Sequence, residues 1–493
     1  MLKYFLTSAA LCTFVLPAHA GPMLDNLAET LASSVSFSAE TIGSDSEVYQ
    51  DVVLTSKEST NDKITIENLG ISVFQGKNTY IADGITVSSP DGAASVTSIK
   101  FSGDLKSIVD AGTEAIAADA LSDTSNNLCE RLRMPAQLSV TGATFGDETT
   151  GTISIGSVDF SAGILLNPVD CLVESTLTVT DTSITLPDQV KFTLGEIYFY
   201  LFAPADGKIP VEPSTAIFTG NLSLRNFGLE MGGASMFTGE RASIFLSQDA
   251  DTSIPLALTG FNNWWDAVSF ATSPSSIISI SGETNVGAVW NALRQVIGTV
   301  NLELVNLRVP EDAQLATLGQ VFIPMDPTYI WASASTFEGE IFLGSQIANQ
   351  NLGHIIADVT VAMLPVDEEN LAGATVDDLM AQMPFGLKGL SFSMDDSGIA
   401  DVLTQLGFDP YAMTEENAVG MLGEEKGALI STWLEQAKEA IASISIMSEA
   451  PLSIEDLMLL AMGSWDQLPS TITVDTAYEA PVFTFWEGET GGE

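Results

Sequence analysis

The chain has 493 residues, of which 64 are Asp or Glu and 17 are Lys or Arg, so its formal net charge is -47 at pH 7. Only 16% of the chain is charged, however, and 45% is hydrophobic. Because nucleic acids and anionic headgroups are bound through clustered Lys and Arg, we expect no nucleic-acid partner. The length predicts two or more packed units or one elongated repeating sheet.

The chain begins with the features of a secretory signal peptide. Lys3 precedes an apolar stretch at residues 4–16, and residues 18–20 read Ala-His-Ala. This arrangement predicts cleavage after Ala20 and a mature protein that begins at Gly21. We therefore expect an exported protein, periplasmic or extracellular.

Strand patterns dominate from residue 34 to residue 343. Residues 64–71 alternate apolar and other positions around a central Asn, and the same pattern returns at 222–229 and 302–309. A form with Gly in the Asn place runs from 138 to 145. The spacing suggests a loose unit of about 80 residues, with chance recurrence of strand patterns as the alternative. The central Asn predicts a bulge or kink in each strand.

Two helical segments interrupt this region, at residues 105–116 and 285–297, and are predicted to be packed connections. The most apolar short run, residues 197–202, is predicted to be a buried strand. No stretch after the leader has the roughly 18 uncharged apolar residues that a membrane-spanning helix needs.

Two cysteines remain after the leader, Cys129 and Cys171. An even pair in an oxidising compartment predicts one disulfide, and two buried free thiols are the alternative. Two cysteines alone do not complete a structural zinc site.

A helical period begins near residue 366. It is found at 376–383 and 399–406, and most clearly in a stretch from Leu429 to Ile444 that includes Trp433, which predicts a helix of about nineteen residues. Ser453 and Asp456 have the spacing of a capping box and predict a short helix. The expected division of the chain is a signal peptide at 1–20, a β-rich repeat region at 21–345, an α/β region at 346–475 that includes a strand at 471–474, and an acidic Gly-rich tail at 476–493.

The side chains that usually carry catalysis are scarce. His354 is the single histidine after the leader and is expected to be an ordinary strand or loop residue. The sequence motifs of serine hydrolases, zinc hydrolases, dithiol oxidoreductases and nucleotide-binding loops are absent from the sequence. We therefore expect that the protein is not an enzyme and has no catalytic site, metal site or cofactor.

Two minor alternatives rest on the carboxylates. A glycosidase would need a pair of them about 5 to 10 Å apart, and the candidates are Asp395, Asp396, Glu283 and Glu338. A calcium loop could begin at residues 249–253, but Ile-Pro follows where such a loop requires Gly.

The consecutive segments 64–73 and 80–87 resemble the strand-turn-strand units of AsmA-like envelope proteins. Residues 387–401 are similar to the C-terminal part of some uncharacterised bacterial exported proteins. The resemblance implies repeating β-sheets that offer an apolar groove to lipids, and it supplies no catalytic residue.

The expected fold is mainly β with an α+β C-terminal region, built from elongated, curved antiparallel sheets of repeated strand-turn-strand units with packed helices. The expected function is a non-enzymatic envelope protein that binds or scaffolds lipid-like ligands. An extracellular structural or adhesive protein that uses divalent cations is the alternative.

Overall fold

The structure is a computed structural model. It describes residues 21–31, 33–56, 62–74, 77–89, 92–103, 136–147, 149–166, 171–187, 189–204, 218–248, 287, 290–291, 294, 298–310, 328–349, 353–371, 378–379, 382, 384–396, 398, 401, 404, 424–437, 442–453, 456 and 472–477. The leader, Cys129, the predicted helix at 105–116 and the candidate calcium loop lie outside these residues. The chain divides into two compact units, one ending at Ile277 and the other beginning at Ile278.

The first unit contains one helix and twelve strands in its described residues. These are α1 Pro22–Leu31, β1 Ser33–Ser36, β2 Ala39–Ile42, β3 Ser46–Ser56, β4 Lys63–Phe74, β5 Lys77–Ser89, β6 Gly92–Gly103, β7 Ala136–Asp147, β8 Gly151–Leu166, β9 Cys171–Thr185, β10 Val190–Pro204, β11 Phe218–Met231 and β12 Ala234–Gln248. From β3 to β12 each strand pairs antiparallel with the next along the chain. Strands β1 and β2 both pair with β3.

The second unit follows the same antiparallel order. Its described elements are β13 Gly298–Leu307, β14 Thr328–Phe337, β15 Glu340–Asn349, β16 Gly353–Met363, β17 Phe385–Asp396, α2 Glu424–Ala437, β18 Ala442–Leu452 and β19 Ile472–Ala477. Each strand pairs with the next one in sequence. The predicted class, mainly β with antiparallel pairing and helix in the C-terminal region, is confirmed.

The long C-terminal helix is shorter than predicted. Helix α2 ends at Ala437, and Ile444 lies in strand β18. Ile444 and Ile446 alternate with Ser443 and Ser445, which is the period of two of a strand. Isoleucine is β-branched and therefore also favours a strand. The helical spacing that links Ile444 to Trp433 is therefore a coincidence of pattern.

The capping box at Ser453 is confirmed. The Ser453 hydroxyl and backbone N–H both donate to Oδ2 of Asp456 at 2.8 Å, and the Asp456 N–H donates to the Ser453 hydroxyl at 3.2 Å. Asp456 is helical, and the rest of the predicted helix lies outside the described residues.

The predicted helix at 285–297 is described at four residues. Gly287, Trp290 and Asn291 are helical. Trp290 packs in one buried cluster with Met363 and Leu379, and its indole N–H donates to Leu364 O at 2.8 Å. The Arg294 guanidinium donates to Met363 O at 2.6 Å. This segment is thus a packed connection, as predicted.

A row of irregular residues crosses strands β3 to β12, one on each strand. At these positions the regular pairing skips one residue on both partners and then resumes without a change of register; for example, Gln50 pairs with Asn68 and Val52 with Ile66. Between β8 and β9 it skips two residues on each partner, and the register is again unchanged. We call this the kink row; its members are Asp51, Glu67, Gly84, Thr97, Gly142, Gly156, Asp181, Gly195, Asn226 and Glu240.

Every second strand carries a left-handed residue in the kink row. Asp51, Gly84, Gly142, Asp181 and Asn226 have φ between 50° and 63°. Asn, Asp and Gly tolerate this conformation better than other residues. In the first unit the structural repeat is therefore a pair of strands, which is shorter than the predicted unit of about 80 residues.

The predicted role of the central Asn holds at two of its three positions. Asn226 is a kink without an inserted residue, whereas Asn306 has φ 52° beside a register shift between Leu304 and Leu307, which is a bulge. Asn68 is an ordinary strand residue, because the kink row crosses β4 at the preceding residue, Glu67. The prediction is wrong there.

Candidate functional site

Apolar side chains of the first unit line up across the strands. In a regular strand residues two apart share a face. Across the kink row, residues three apart share it instead, since Ile66 and Leu69 belong to one buried cluster, as do Val140 and Ala143. Both halves of every strand therefore present apolar residues to the same face, which we call the inner face.

Three apolar rows of the inner face extend without interruption across ten strands, with the single exception of Glu47 at one end. Two rows lie on one side of the kink row and one lies on the other. Their members, in register, are Glu47, Ile71, Tyr80, Phe101, Leu138, Phe160, Leu177, Phe199, Leu222 and Ile244; then Tyr49, Leu69, Ala82, Ile99, Val140, Val158, Val179, Ile197, Leu224 and Ala242; then Leu54, Ile64, Val87, Ala94, Phe145, Ile153, Ile184, Phe192, Leu229 and Phe237.

Burial falls along these rows from one end to the other. Tyr49 is 0% exposed and Leu69 is 2% exposed, and both pack in one cluster with Leu24 and Leu27 of α1. At the far end Leu222 is 37% and Ile244 is 41% exposed. Helix α1 therefore fills the β3–β4 end of the inner face, while the β11–β12 end is open.

The run at residues 197–202 also shows reduced burial towards the β11–β12 end. It lies in β10, as predicted, but its side chains are half-buried instead of buried. Ile197 and Phe199 point to the inner face, and Tyr198 and Tyr200 alternate to the other side.

The opposite, outer face is polar. The row next to Tyr49 on that face consists of Gln50, Asn68, Asp83, Ser98, Thr141, Ser157, Thr180, Glu196, Arg225 and Arg241. Cross-strand polar pairs connect its members, such as the Ser157 and Thr180 hydroxyls at 2.9 Å and the Arg225–Glu196 ion pair at 3.5 Å. Polar side chains thus occupy this row of the outer face, whereas the exposed Leu222 and Ile244 lie on the inner face.

The second unit has an apolar face of its own. Phe392 and Met394 pack there against α2, where Trp433 meets Phe392 edge-on with ring centroids 5.7 Å apart. On the same face, away from the helix, an open patch is formed by Val300, Leu302, Leu343, Ile347 and Leu390. Each unit therefore combines a helix-covered part with an open apolar part.

The residues considered for chemistry lie in strands or turns of the second unit where they are described. His354 lies in β16, in register with Ala348 and Asp395, so it is a strand residue as predicted. Asp395 and Asp396 end β17, and Glu338 lies in the turn after β14, whereas Glu283 is outside the described residues. Within the described part of the chain, no group of three or more His, Cys, Asp and Glu is placed to hold a metal ion.

The predicted disulfide is described at one of its cysteines. Cys171 opens β9 and is in register with Leu166 of β8. Because Cys129 is outside the described residues, the disulfide stays a prediction.

None of the helices in the described residues combines the length and the apolar composition that crossing a bilayer requires.

No family model, curated protein or solved structure matches the chain. The candidate site therefore rests on the residues themselves. The sequence contains a signal for it that a simple alternation of period two conceals: apolar residues recur at i, i+2, i+5 and i+7, as at Leu222, Leu224, Phe227 and Leu229. Seven of the ten strands from β3 to β12 have apolar residues at all four positions, and the exceptions are Glu47 in β3, Thr182 in β9 and Gly239 in β12.

Proposed function

We propose that the protein is an exported, non-enzymatic binder of lipid-like ligands, whose apolar chains lie on the open part of the inner face of the first unit. One observation carries the proposal: the apolar rows continue to β12 although Leu222 and Ile244 are 37% and 41% exposed there. A contiguous apolar face in water is unfavourable, and large patches of this kind usually mark a binding site.

The direction of the rows supports an elongated apolar ligand. They run perpendicular to the strands, and nine strand spacings of roughly 4.8 Å make each row about 43 Å long. Because α1 fills the β3–β4 end, the ligand has access from the β11–β12 end. A chain of methylene groups has the length and the lack of hydrogen-bonding groups that such a surface can accept.

The charge of the protein favours a binding mode in which only the apolar part of the ligand is buried. With a net charge of -47, the protein repels anionic headgroups, which would therefore stay in water. Binding would be driven by loss of apolar surface from water and would depend little on salt. The open patch of the second unit offers a further surface of the same chemistry.

The test uses protein purified from its native envelope without detergent. We expect organic extraction and mass spectrometry to recover about one or more lipids per chain. We also expect a fluorescent fatty acid to bind the delipidated protein with an affinity that a chelator and moderate salt leave unchanged.

The opposite result would support the cation-dependent structural role. In that case the protein would be free of lipid, would not bind the fatty acid, and would be stabilised by millimolar Ca²⁺ well beyond the effect of matched monovalent salt.

A further inference from the structure

A buried carboxylate from β3 holds the first turn of α1. Oε1 of Glu47 accepts a hydrogen bond from Met23 N at 2.9 Å, and Oε2 accepts one from Leu24 N at 2.8 Å. Glu47 is only 1% exposed. A carboxylate buried this deeply is costly unless it is paired as well as hydrogen-bonded.

Gly21 lies directly against this carboxylate. Its backbone N–H donates to the Tyr49 hydroxyl at 2.9 Å, and that hydroxyl donates to Oε2 of Glu47 at 2.8 Å. Gly21 is buried, and a Cβ at this position would overlap the Glu47 side chain. The backbone nitrogen of residue 21 is therefore enclosed in the same polar site as Glu47.

A second carboxylate borders the site. Asp25 of α1 has an oxygen, Oδ1, that is buried without a hydrogen-bond partner, and burial together with the negative charge of Glu47 raises the pKa of Asp25. Within the described residues, no Lys or Arg forms an ion pair with Asp25 or Glu47. Two neighbouring carboxylates in a buried site favour a cation between them.

We propose that removal of the leader supplies this cation, and that the α-ammonium of Gly21 forms a buried ion pair with Glu47. Hydrolysis of the Ala20–Gly21 bond consumes one water, leaves a carboxylate on Ala20 and turns the amide nitrogen of Gly21 into an amine. That amine is protonated at neutral pH, because the pKa of an ordinary α-amino group is about 7.7–8.0. The inference rests on the export part of the proposed function.

The ion pair gives leader removal a structural consequence. The amide N–H of Gly21 is a single donor, whereas an ammonium has three, so it can serve Tyr49 and the carboxylates together. The cleaved chain should hold α1 against β3 more firmly than a chain in which residue 21 is still an amide.

The first test measures whether the new amine is buried. The protein is exported from its host, its intact mass locates the N-terminus, and an amine-acylating reagent is applied at neutral pH to the native and the urea-unfolded protein. We expect a Gly21 terminus that is acylated at least about tenfold more slowly in the native state, since labelling requires local opening. A terminus other than Gly21 would overturn the inference together with the leader prediction; a Gly21 amine that is labelled at the unfolded rate would overturn the inference alone.

The second test separates an ion pair from a simple helix cap. The melting temperature is compared for chains that begin at Gly21 or retain Ala20, each with Glu47 or with Glu47→Gln. With Glu47, retaining Ala20 should lower the melting temperature; with Glu47→Gln this difference should vanish. An equal difference in both backgrounds would overturn the ion pair, and if Glu47→Gln does not fold, the acylation rate decides. Neither test involves lipid binding, so the inference and the ligand proposal can fail separately.

Discussion

At the scale of single residues, the turn between β7 and β8 depends on one carboxylate. Oδ1 of Asp147 accepts hydrogen bonds from the backbone N–H groups of Thr149 and Thr150, at 2.8 and 2.9 Å, and from both of their hydroxyls. These bonds lower the pKa of Asp147 from 3.8 to about 2, and the bond from the Thr149 hydroxyl has the largest effect. The cause is that every one of them favours the charged carboxylate.

This lowered pKa predicts how the turn responds to acid. The folded state binds the Asp147 proton less tightly than the unfolded state does, so the contribution of the turn to stability should be complete above the ordinary pKa of 3.8 and should be lost as the pH falls towards about 2. An NMR titration of the Asp147 carboxyl carbon should give a midpoint near 2, and Thr149→Val should move it back towards 3.8. A wild-type midpoint at the ordinary value would show that the turn does not form these bonds.

At the scale of strands, sequence patterns predicted the positions of the strands better than the backbone conformation within them, and the kink row explains why. The pattern with a central Asn correctly predicted a kink at Asn226. It failed at Asn68, because the same apolar spacing arises when the skipped residue is Glu67 and the left-handed residues lie in the neighbouring strands, at Asp51 and Gly84. The left-handed residues of the kink row are all Asp, Asn or Gly, but Gly156 and Gly195 lie in the same row without a left-handed φ. Residue type alone therefore does not specify which strand of a pair adopts this conformation.

The two asparagines therefore form a matched pair for mutation. Both are exposed strand residues, but only Asn226 has a positive φ. Asn226→Val places a β-branched residue in the left-handed region and should cost about 1–2 kcal/mol. Asn68→Val should be neutral or slightly stabilising, since Val has a high strand propensity. Equal losses in chemical denaturation would show that the left-handed kink at Asn226 is absent.

Helices were less predictable than strands, because the limits of α1 and α2 depend on contacts with strands. Helix α1 has only ten residues and follows Gly21, which has no side chain to cap it; Glu47 of β3 accepts the N–H groups of Met23 and Leu24 instead. The prediction extended helix α2 too far, because Ile444 fits a helical and a strand period equally well until its pairing with Phe392 is known. In both cases a tertiary contact decides between local alternatives.

At the scale of the whole molecule, composition and alternation were sufficient to predict an antiparallel β protein, but not which surface is open. The candidate site depends on register: Ile244 and Ile81 are similar residues in similar strands, 41% and 43% exposed. The pairing of the strands places Ile244 on the apolar inner face and Ile81 on the polar outer face. Register is determined by contacts between strands, which a pattern within one strand does not specify.

The same pair of isoleucines provides the most direct measurement of the central claim, that the open part of the inner face holds an apolar chain. Fluorescent fatty acid is titrated into delipidated wild-type protein, Ile244→Glu and Ile81→Glu. Because both side chains are exposed, both variants should keep the melting temperature within a few degrees. A carboxylate at position 244 would be desolvated by the bound chain, so Ile244→Glu should bind at least about tenfold more weakly, whereas Ile81→Glu should match the wild type. Equal affinity in all three proteins, or no binding by the wild type, would contradict the account.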